Sequence, residues 1–569
     1  MADPTPIPGD CRGLNFYRID AGLQQLLRLY LDAATLAHLT PYFDRLGAVA
    51  GGRLDELAAL ADRHPPLLHP RDRLGRDEDW IEYHPAYREM ERIAFGEFQF
   101  HAMSHRGVLG LGGPMPPVAK YAFQYIFVQG EFGLMCPISL TDTAIHLIRK
   151  HADARLQQDL LPRMLAEDPA NLWKGAQFIT ERAGGSDVGA LETVARHERG
   201  EWRLYGDKWF CSHADADVAL LLARPEGAPL GTHGLALFAI TRHLADGRRN
   251  AYRILRLKEK LGTRSMASGE IKLEGATAYP LGGTENGLKK MLDQVNLSRL
   301  SHGVRAAAMM RRCLNEALAA AAGRRAFGRA VIEQPLMRRQ LMKLMLPTEQ
   351  ALSMALFAAE AMGVGDETLL RVLTPLVKFR ACRDNIAVAT GAMEARGGNG
   401  YIEEWVTARL VRDAQVGLLW EGTSNVIALD LLHRAVGKAG AQRALAQRLG
   451  ERLGMAVLPP AYRERLGAAL DRAASLAADV ARDPADEADA RSAASALYHA
   501  ASAILLAWEG TRDPADARRA LLSRFILEHR LAPRDPLRRE RRPWEAVAID
   551  LLLAGKPVGL HDAMPLLAG

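Results

Sequence analysis

The chain has 569 residues, 48% of them hydrophobic and 25% charged, with a net charge of +6. That balance excludes a disordered or fibrous chain, and a charge of this size permits polyphosphate contact without requiring it. The N-terminal "MADPTPIPGD" has no basic start followed by an apolar core, and no apolar run reaches the roughly 18 residues a spanning helix needs. A soluble, cytoplasmic protein without membrane insertion is therefore expected. Length alone fits three or four packed units, at about 150 residues each. Cys11, Cys136, Cys211, Cys313 and Cys382 are scattered and form no CxxC pair, which argues against a disulfide framework or a zinc cluster.

Residues 1–168 read as a helical domain, with apolar residues every three or four places in "DELAALADR" and "PAYREMERIAF". Over 169–284 the pattern changes to short runs, "WRLYGDKWF", "VALLLA", "GLALFAI" and "GEIKLEG", separated by Gly, Asp and Pro. These predict a compact β domain. Over 285–437 the periodicity predicts a long helix that places Leu300, Val304, Ala307, Met310, Leu314 and Ala317 on one face and stops at Gly323, followed by helices near 335–363 and 366–396. Residues 438–569 form an Ala/Arg-rich helical extension. Its three Arg-Asp-Pro tripeptides, beginning at Arg482, Arg512 and Arg534, are expected to start helices, with Asp as cap and Pro at the first helical position.

Several short stretches carry chemistry. In "QFITERAGGSDVGAL", the Gly184–Gly185 pair frees backbone N–H groups for a ligand, and the hydroxyls of Thr180 and Ser186 suit a polar ring edge or a phosphate. A tight β-turn explains Gly-Gly-Ser-Asp equally well. In "YGDKWFCSH", Trp209 and Phe210 beside Ser212 suit a flat aromatic cofactor, or equally a strand core. "GRRAFGRAV" sets Arg324 and Arg325 just past a helix end, where they match phosphate geometry or simply answer the helix dipole. "LWEGTSN" places Glu421 after Leu418, Leu419 and Trp420. Burial there would raise its pKa and improve it as a proton acceptor, whereas a lone Glu near a helix start is otherwise a capping residue.

Taken in order, Thr-Glu…Gly-Ser-Asp, Gly-x-Lys-x-Phe-x-Ser, Gly-x-Arg-Ser, Arg-x-x-Phe-Gly, Gly-Gly-Asn-Gly-Tyr, Arg-Asp-Ala and Trp-Glu-Gly-Thr-x-Asn resemble the flavin-dependent acyl-CoA dehydrogenase family over residues 85–435. "HPAY", "CPISLTDTA", "LKEKLGTRSMAS", "EQPLMR" and the C-terminal extension resemble its alkylation-response AidB subfamily. The resemblance implies a mainly α fold with a central β-barrel: an N-terminal helical domain, the barrel, a C-terminal four-helix bundle and the extension. It implies FAD between barrel and bundle, in a homodimer or homotetramer whose subunits complete one another's flavin sites. Phe178, Thr180, Gly185 and Ser186 would border the flavin and its phosphates, Phe210 would lie over the ring and Ser212 near the reactive nitrogen. Arg324, Phe327, Gly397 and Gly398 would meet a cofactor across the subunit boundary, and Thr423 and Asn425 would contact it after Glu421. Ser298 and Arg299 match positions that help hold the acyl-CoA, although Asn296 stands where many members carry an acid. Arg396 is expected to face phosphates. Glu421 matches the base that takes the Cα proton while FAD takes the hydride from Cβ.

Two further readings follow. The AidB resemblance implies association with double-stranded DNA, and residues 512–542 hold ten arginines against five acids; Arg538, Arg539, Arg541 and Arg542 would meet phosphates and make binding salt-dependent. Solvated helix faces or a subunit interface explain the same charges. His101 and His105, at i and i+4, could hold a metal, but no HExxH glutamate accompanies them.

Overall fold

A computed structural model describes residues 7–533, 535, 537, 538 and 542–568. The protein is mostly helical with a sheet-based middle domain and a helical C-terminal region. Its contacts gather it into two compact units, Gly52–Pro116 with Gly130–Ser301, and Met1–Gly51 with Pro117–Gln129 and His302–Gly569. The N-terminal third thus contributes to both.

The first unit opens with a hairpin, β1 (Leu67–Arg71) against β2 (Asp77–Glu82), within a region expected to be helical. Of the two buried residues in "DEDWIE" one is polar, which hides the alternation from a reader of the sequence. That residue, Asp79, accepts the Ile254 N–H at 2.9 Å and pairs with Arg249 at 2.7 Å, tying the hairpin to the main sheet.

The main sheet comprises β3 (Gly175–Phe178), β4 (Val194–Glu198), β5 (Glu201–Ser212), β6 (Val218–Pro225), β7 (Ala236–Thr241), β8 (Tyr252–Leu257) and β9 (Ser268–Pro280). The four runs expected to be strands are β5, β6, β7 and β9. Pairings β5–β4, β4–β6, β6–β7, β7–β9 and β9–β5 close a ring; β3 bridges β5 and β6, and β8 lies on β9. Helices Met135–His151 and Ala154–Met164 bury Ile145, Ile148, Leu156 and Leu160 against Leu220, Leu222 and Leu237. With both faces covered, β6 and β7 read as continuous apolar runs rather than alternating ones.

In the second unit, the Gly287–Gly323 helix from His302 onward packs with Pro335–Gly363 and Glu367–Arg396. Pro117–Val128, from the N-terminal third, packs on Pro335–Gly363. Asp366 caps its helix by accepting the Leu369 N–H at 2.9 Å. At Gly303 the helices cross so closely that a Cβ would stand 2.4 Å from Val377 Cγ1.

The extension is helical, and of its Arg-Asp-Pro sites the first starts a helix as expected, with Asp483 as cap and Pro484 at the first position, while the second does not. Asp483 leads into a short 3-10 turn, Pro484–Asp489, before the Ala490–Arg512 helix. Asp513 accepts the Ala515 N–H within a turn, and the helix begins only at Arg518. Asp483 accepts from the second helical residue, Ala485, as an N-cap does, whereas Asp513 closes a local turn in place of a helical cap. At the third site Arg534 and Pro536 lie outside the described residues.

A buried ionic network joins the extension to the helices beneath it. Arg519 pairs with Glu349 at 2.6 Å and Glu509 at 2.9 Å. Glu349 also pairs with Arg311, whose Nε lies 3.1 Å from Asp20. Tyr30 donates to Glu509 at 3.0 Å and accepts from Arg452 at 2.9 Å. Burial alone would raise the Glu349 carboxyl, but Arg311 and Arg519 overcome it and hold the pKa down at about 2. Removing one partner of such a pair leaves an uncompensated buried charge, so Arg519→Met should lower unfolding stability by roughly 3–5 kcal/mol in denaturant titrations. Glu349 binds its proton more readily when unfolded, near its ordinary value of 4.5. Its contribution is therefore complete above that pH and is lost as pH falls toward about 2. Denaturation midpoints of the wild type should fall across this window, and Glu349→Gln should remove that part of the slope.

Candidate active site

The barrel-side candidates come together on neighbouring strands. Phe178 ends β3 and is fully buried, and Gln177 of that strand pairs with Ser212. The Trp209 N–H donates to the Thr180 carbonyl at 2.8 Å, linking the Thr-Glu segment to β5. Register shifts between Lys208 and Cys211, and within that irregularity Phe210 stands 56% exposed. Ser212, two residues on, lies on the same face of the strand. Gly185 and Ser186 lie in the exposed turn after Thr180, and a Cβ at Gly185 would stand 2.8 Å from the Thr180 hydroxyl. The turn closes on Thr180 because residue 185 has no side chain.

A buried ion pair holds these strands in place. Lys208 is enclosed and its ammonium lies 2.7 Å from Glu181, with a second bond to the Leu222 carbonyl at 3.0 Å. Glu181 also accepts from the Glu192 N–H at 2.6 Å and from the Thr193 hydroxyl. Burial alone would raise the Glu181 carboxyl, yet Lys208, together with the bonds from Thr193 and the Glu192 N–H, more than offsets it and the pKa lies below the ordinary value. The sequence signal was available: both charges stand beside the candidates Thr180 and Phe210, inside strand-like runs where a charge needs a partner.

The helical unit holds the remaining cofactor candidates and Glu421. Arg324 follows the Gly287–Gly323 helix, and a Cβ on Gly397 would meet its Nη1 at 2.7 Å. Gly397 has φ of +77°, and Gly398 next to it is exposed. Phe327 sits in the tight hairpin Arg325–Ala326/Arg329–Ala330, 98% exposed. Glu421 lies in the loop before the Ser424–Leu429 helix, half-buried rather than enclosed. It has φ of +56° and Gly422 has +106°. Thr423 and Asn425 are exposed at the start of that helix. Trp420 meets His302 edge-on, ring centroids 5.3 Å apart.

The chain matches known families and proteins over most of its length. Three family models match in series: the AidB N-terminal domain over residues 7–168, the acyl-CoA dehydrogenase middle domain over 176–276 and its C-terminal domain over 285–437. The putative acyl-CoA dehydrogenase AidB of Escherichia coli is 33% identical over 405 residues, 69% of this chain and 73% of that protein. The chain belongs to the acyl-CoA dehydrogenase family. Acyl-CoA dehydrogenase family member 11 of Caenorhabditis elegans is 29% identical over 466 residues, 77% of this chain and 74% of that protein. The crystal structure of C. elegans ACDH-11 in complex with C11-CoA superposes with a TM-score of 0.84 at 26% identity, covering 97% of each chain. Members of this family are FAD-dependent.

The residues present fit that cofactor: an exposed aromatic with a hydroxyl on the same strand face, a glycine turn where a Cβ would crowd a hydroxyl, and an exposed arginine beside a positive-φ glycine. Of the remaining candidates, Arg396 lies elsewhere than expected. Arg396 does not stand free to face phosphates: it is buried, 2.7 Å from Glu316 and stacked over Trp405 at 4.3 Å. Ser298 and Arg299 are buried too. His105 Nε2 lies 2.9 Å from the Asp142 carboxylate, and His101 is buried with its pKa lowered to about 3, by burial first and Arg106 second. Among the described residues no three His, Cys, Asp or Glu side chains are grouped to hold a metal. Of the four arginines expected to meet DNA, Arg539 and Arg541 lie outside the described residues. Arg538 is exposed, while Arg542 turns inward to the Glu528 carbonyl at 3.3 Å. Within the same stretch, Arg519 and Arg524 are buried.

Lys208→Met should destabilise the protein by roughly 3–5 kcal/mol by stranding Glu181. Adding Glu181→Leu should recover part of that loss, so denaturant titrations of both singles and the double should show coupling above about 0.5 kcal/mol.

Proposed function

We propose that the protein is an FAD-dependent acyl-CoA dehydrogenase that forms a Cα=Cβ double bond in an acyl thioester, with Glu421 as base. The observation that carries the reading is the backbone of Glu421. A non-glycine residue at φ of +56° is strained, and such strain persists where the surroundings over-determine it, characteristically at functional sites. The carboxylate takes the Cα proton, and the electron pair left at Cα forms the new bond as hydride leaves Cβ. FAD, when bound, supplies the hydride acceptor. Half-burial keeps the Glu421 carboxylate reachable while shielding it from bulk water. The Glu421 N–H is assigned to the thioester carbonyl, where a donor stabilises charge as the proton departs.

Phe178, Thr180, Gly185, Ser186, Phe210 and Ser212 are assigned to the flavin, together with Thr423 and Asn425. Arg324, Phe327, Gly397 and Gly398 are assigned to the cofactor of a second copy in a homodimer or homotetramer, a role consistent with the near-complete exposure of Phe327. Ser298 and Arg299 support the acyl-CoA from within their helix. The C11-CoA seen in the ACDH-11 complex favours acyl chains of similar length as substrates. No helix among the described residues is long and apolar enough to cross a membrane. Duplex binding is the second reading, assigned to Arg538, Arg539 and Arg541, since Arg519, Arg524 and Arg542 are occupied by contacts inside the fold.

Glu421→Gln should retain flavin absorbance and lose acyl-CoA-dependent bleaching by a factor on the order of 10² to 10⁴, the range for removing a general base. Anaerobic spectroscopy with an acyl-CoA panel checks this; bleaching at the wild-type rate overturns the assignment.

A further inference from the structure

Behind the Glu421 loop lies a charge that the proposed reaction leaves unassigned. Lys378 stands within the Glu367–Arg396 helix between Val377 and Phe379, and only 1% of its surface is exposed. Lysine is almost never so enclosed without a counterpart. Its ammonium donates a hydrogen bond to the carbonyl of Gly422, the residue after Glu421. That carbonyl belongs to the second of two consecutive positive-φ residues, so the bond grips the reversal that presents the carboxylate.

The surroundings are cationic. From the Gly287–Gly323 helix come His302, edge-on to Trp420, and Arg305, whose guanidinium carbon is 6.0 Å from the Trp420 ring centre. The Lys378 helix adds Cys382, whose thiol donates to the His302 carbonyl at 3.8 Å, and Arg383, 3.2 Å from the Ser424 hydroxyl. Burial, then Arg305 and Lys378, hold the His302 pKa well below its ordinary value, so the imidazole stays neutral and adds no charge. Burial raises the Cys382 thiol, which stays protonated. The fixed cations at the loop from these two helices include Arg305, Lys378 and Arg383, the last also facing Asp384, Arg380 and Arg491. A backbone carbonyl is satisfied as well by a neutral amide, at a smaller desolvation cost than an ammonium. Burying the charge is offset where a negative charge lies near.

We propose that Lys378 is the positioning residue of Glu421: its ammonium locks the Glu421–Gly422 reversal through the Gly422 carbonyl, and its charge favours the ionised carboxylate. The inference rests on the reading of Glu421 as the base.

The test is stopped-flow anaerobic reduction of the flavin-loaded protein by an acyl-CoA that bleaches the wild type. Lys378→Gln and Lys378→Met are compared with it, with flavin content and melting temperature measured alongside. Lys378→Gln keeps a donor for the carbonyl but removes the charge. It should load flavin, keep the apparent acyl-CoA Kd, and lose limiting rate on the acid limb of the pH profile by on the order of 10-fold, the effect of about one pKa unit on the ionised fraction where the pH lies below the pKa. Without the cation the Glu421 carboxyl holds its proton to higher pH, so the acid limb of the rate–pH profile should move upward. Lys378→Met, which also lacks the donor, should lose more. A folded, flavin-loaded Lys378→Gln with wild-type rate and pH profile overturns the proposal, as does a change confined to Kd or flavin content. Failure of both variants to fold makes the lysine structural and overturns it too. A wild type bleached by no acyl-CoA brings down the base assignment and this proposal together, whereas a bleached wild type with an indifferent Lys378→Gln brings down this proposal alone.

Discussion

Charges taken out of water must be matched, and much of this protein's architecture follows from that constraint. Arg519 touches two carboxylates, Glu349 and Glu509, from helices more than a hundred residues apart in sequence. Through Glu349 and Arg311 the same chain of contacts reaches Asp20, and Tyr125 donates to Asp20 at 2.9 Å. The extension is thereby joined to the helical core by directional bonds that accept one register, whereas an alanine-rich apolar face would tolerate sliding. Alanine and arginine thus divide the labour: small side chains let helices approach, and paired guanidinium groups fix where they stop.

The same constraint operates beside the candidate catalytic residues. Lys208 with Glu181 fixes the segment that displays Phe210, and Lys378 bonded to the Gly422 carbonyl fixes the loop that displays Glu421. In each case a buried cation stands behind an exposed or half-exposed group. The reactive surface is flexible in composition, rich in Gly, Thr and Ser, yet its backbone is held from within.

Sequence reasoning reached the elements whose periodicity was undiluted. β6 and β7 and the helices Pro335–Gly363 and Glu367–Arg396 were legible because apolar spacing alone decides them. The β1–β2 hairpin was not, since Asp79 occupies a buried position that a reader assigns to solvent. The Arg-Asp-Pro at Arg512 misled because Asp satisfies a turn as readily as a helix start. Within the 512–542 stretch Arg519 reads as one of a row of cations, yet its partners Glu349 and Glu509 come from elsewhere in the chain, a pairing no local pattern displays. Motif order located the candidate site, but the cations that brace it could not be told from surface lysines without knowing what they face.

All five cysteines are buried, and burial raises the thiol pKa of Cys11, Cys211, Cys313 and Cys382, that of Cys11 to about 12. Thiolate is the nucleophile, so an electrophile approaching the folded molecule meets almost none of it at those four positions. The fold thus withholds these thiols from alkylating or oxidising reagents, keeping them both protonated and out of reach.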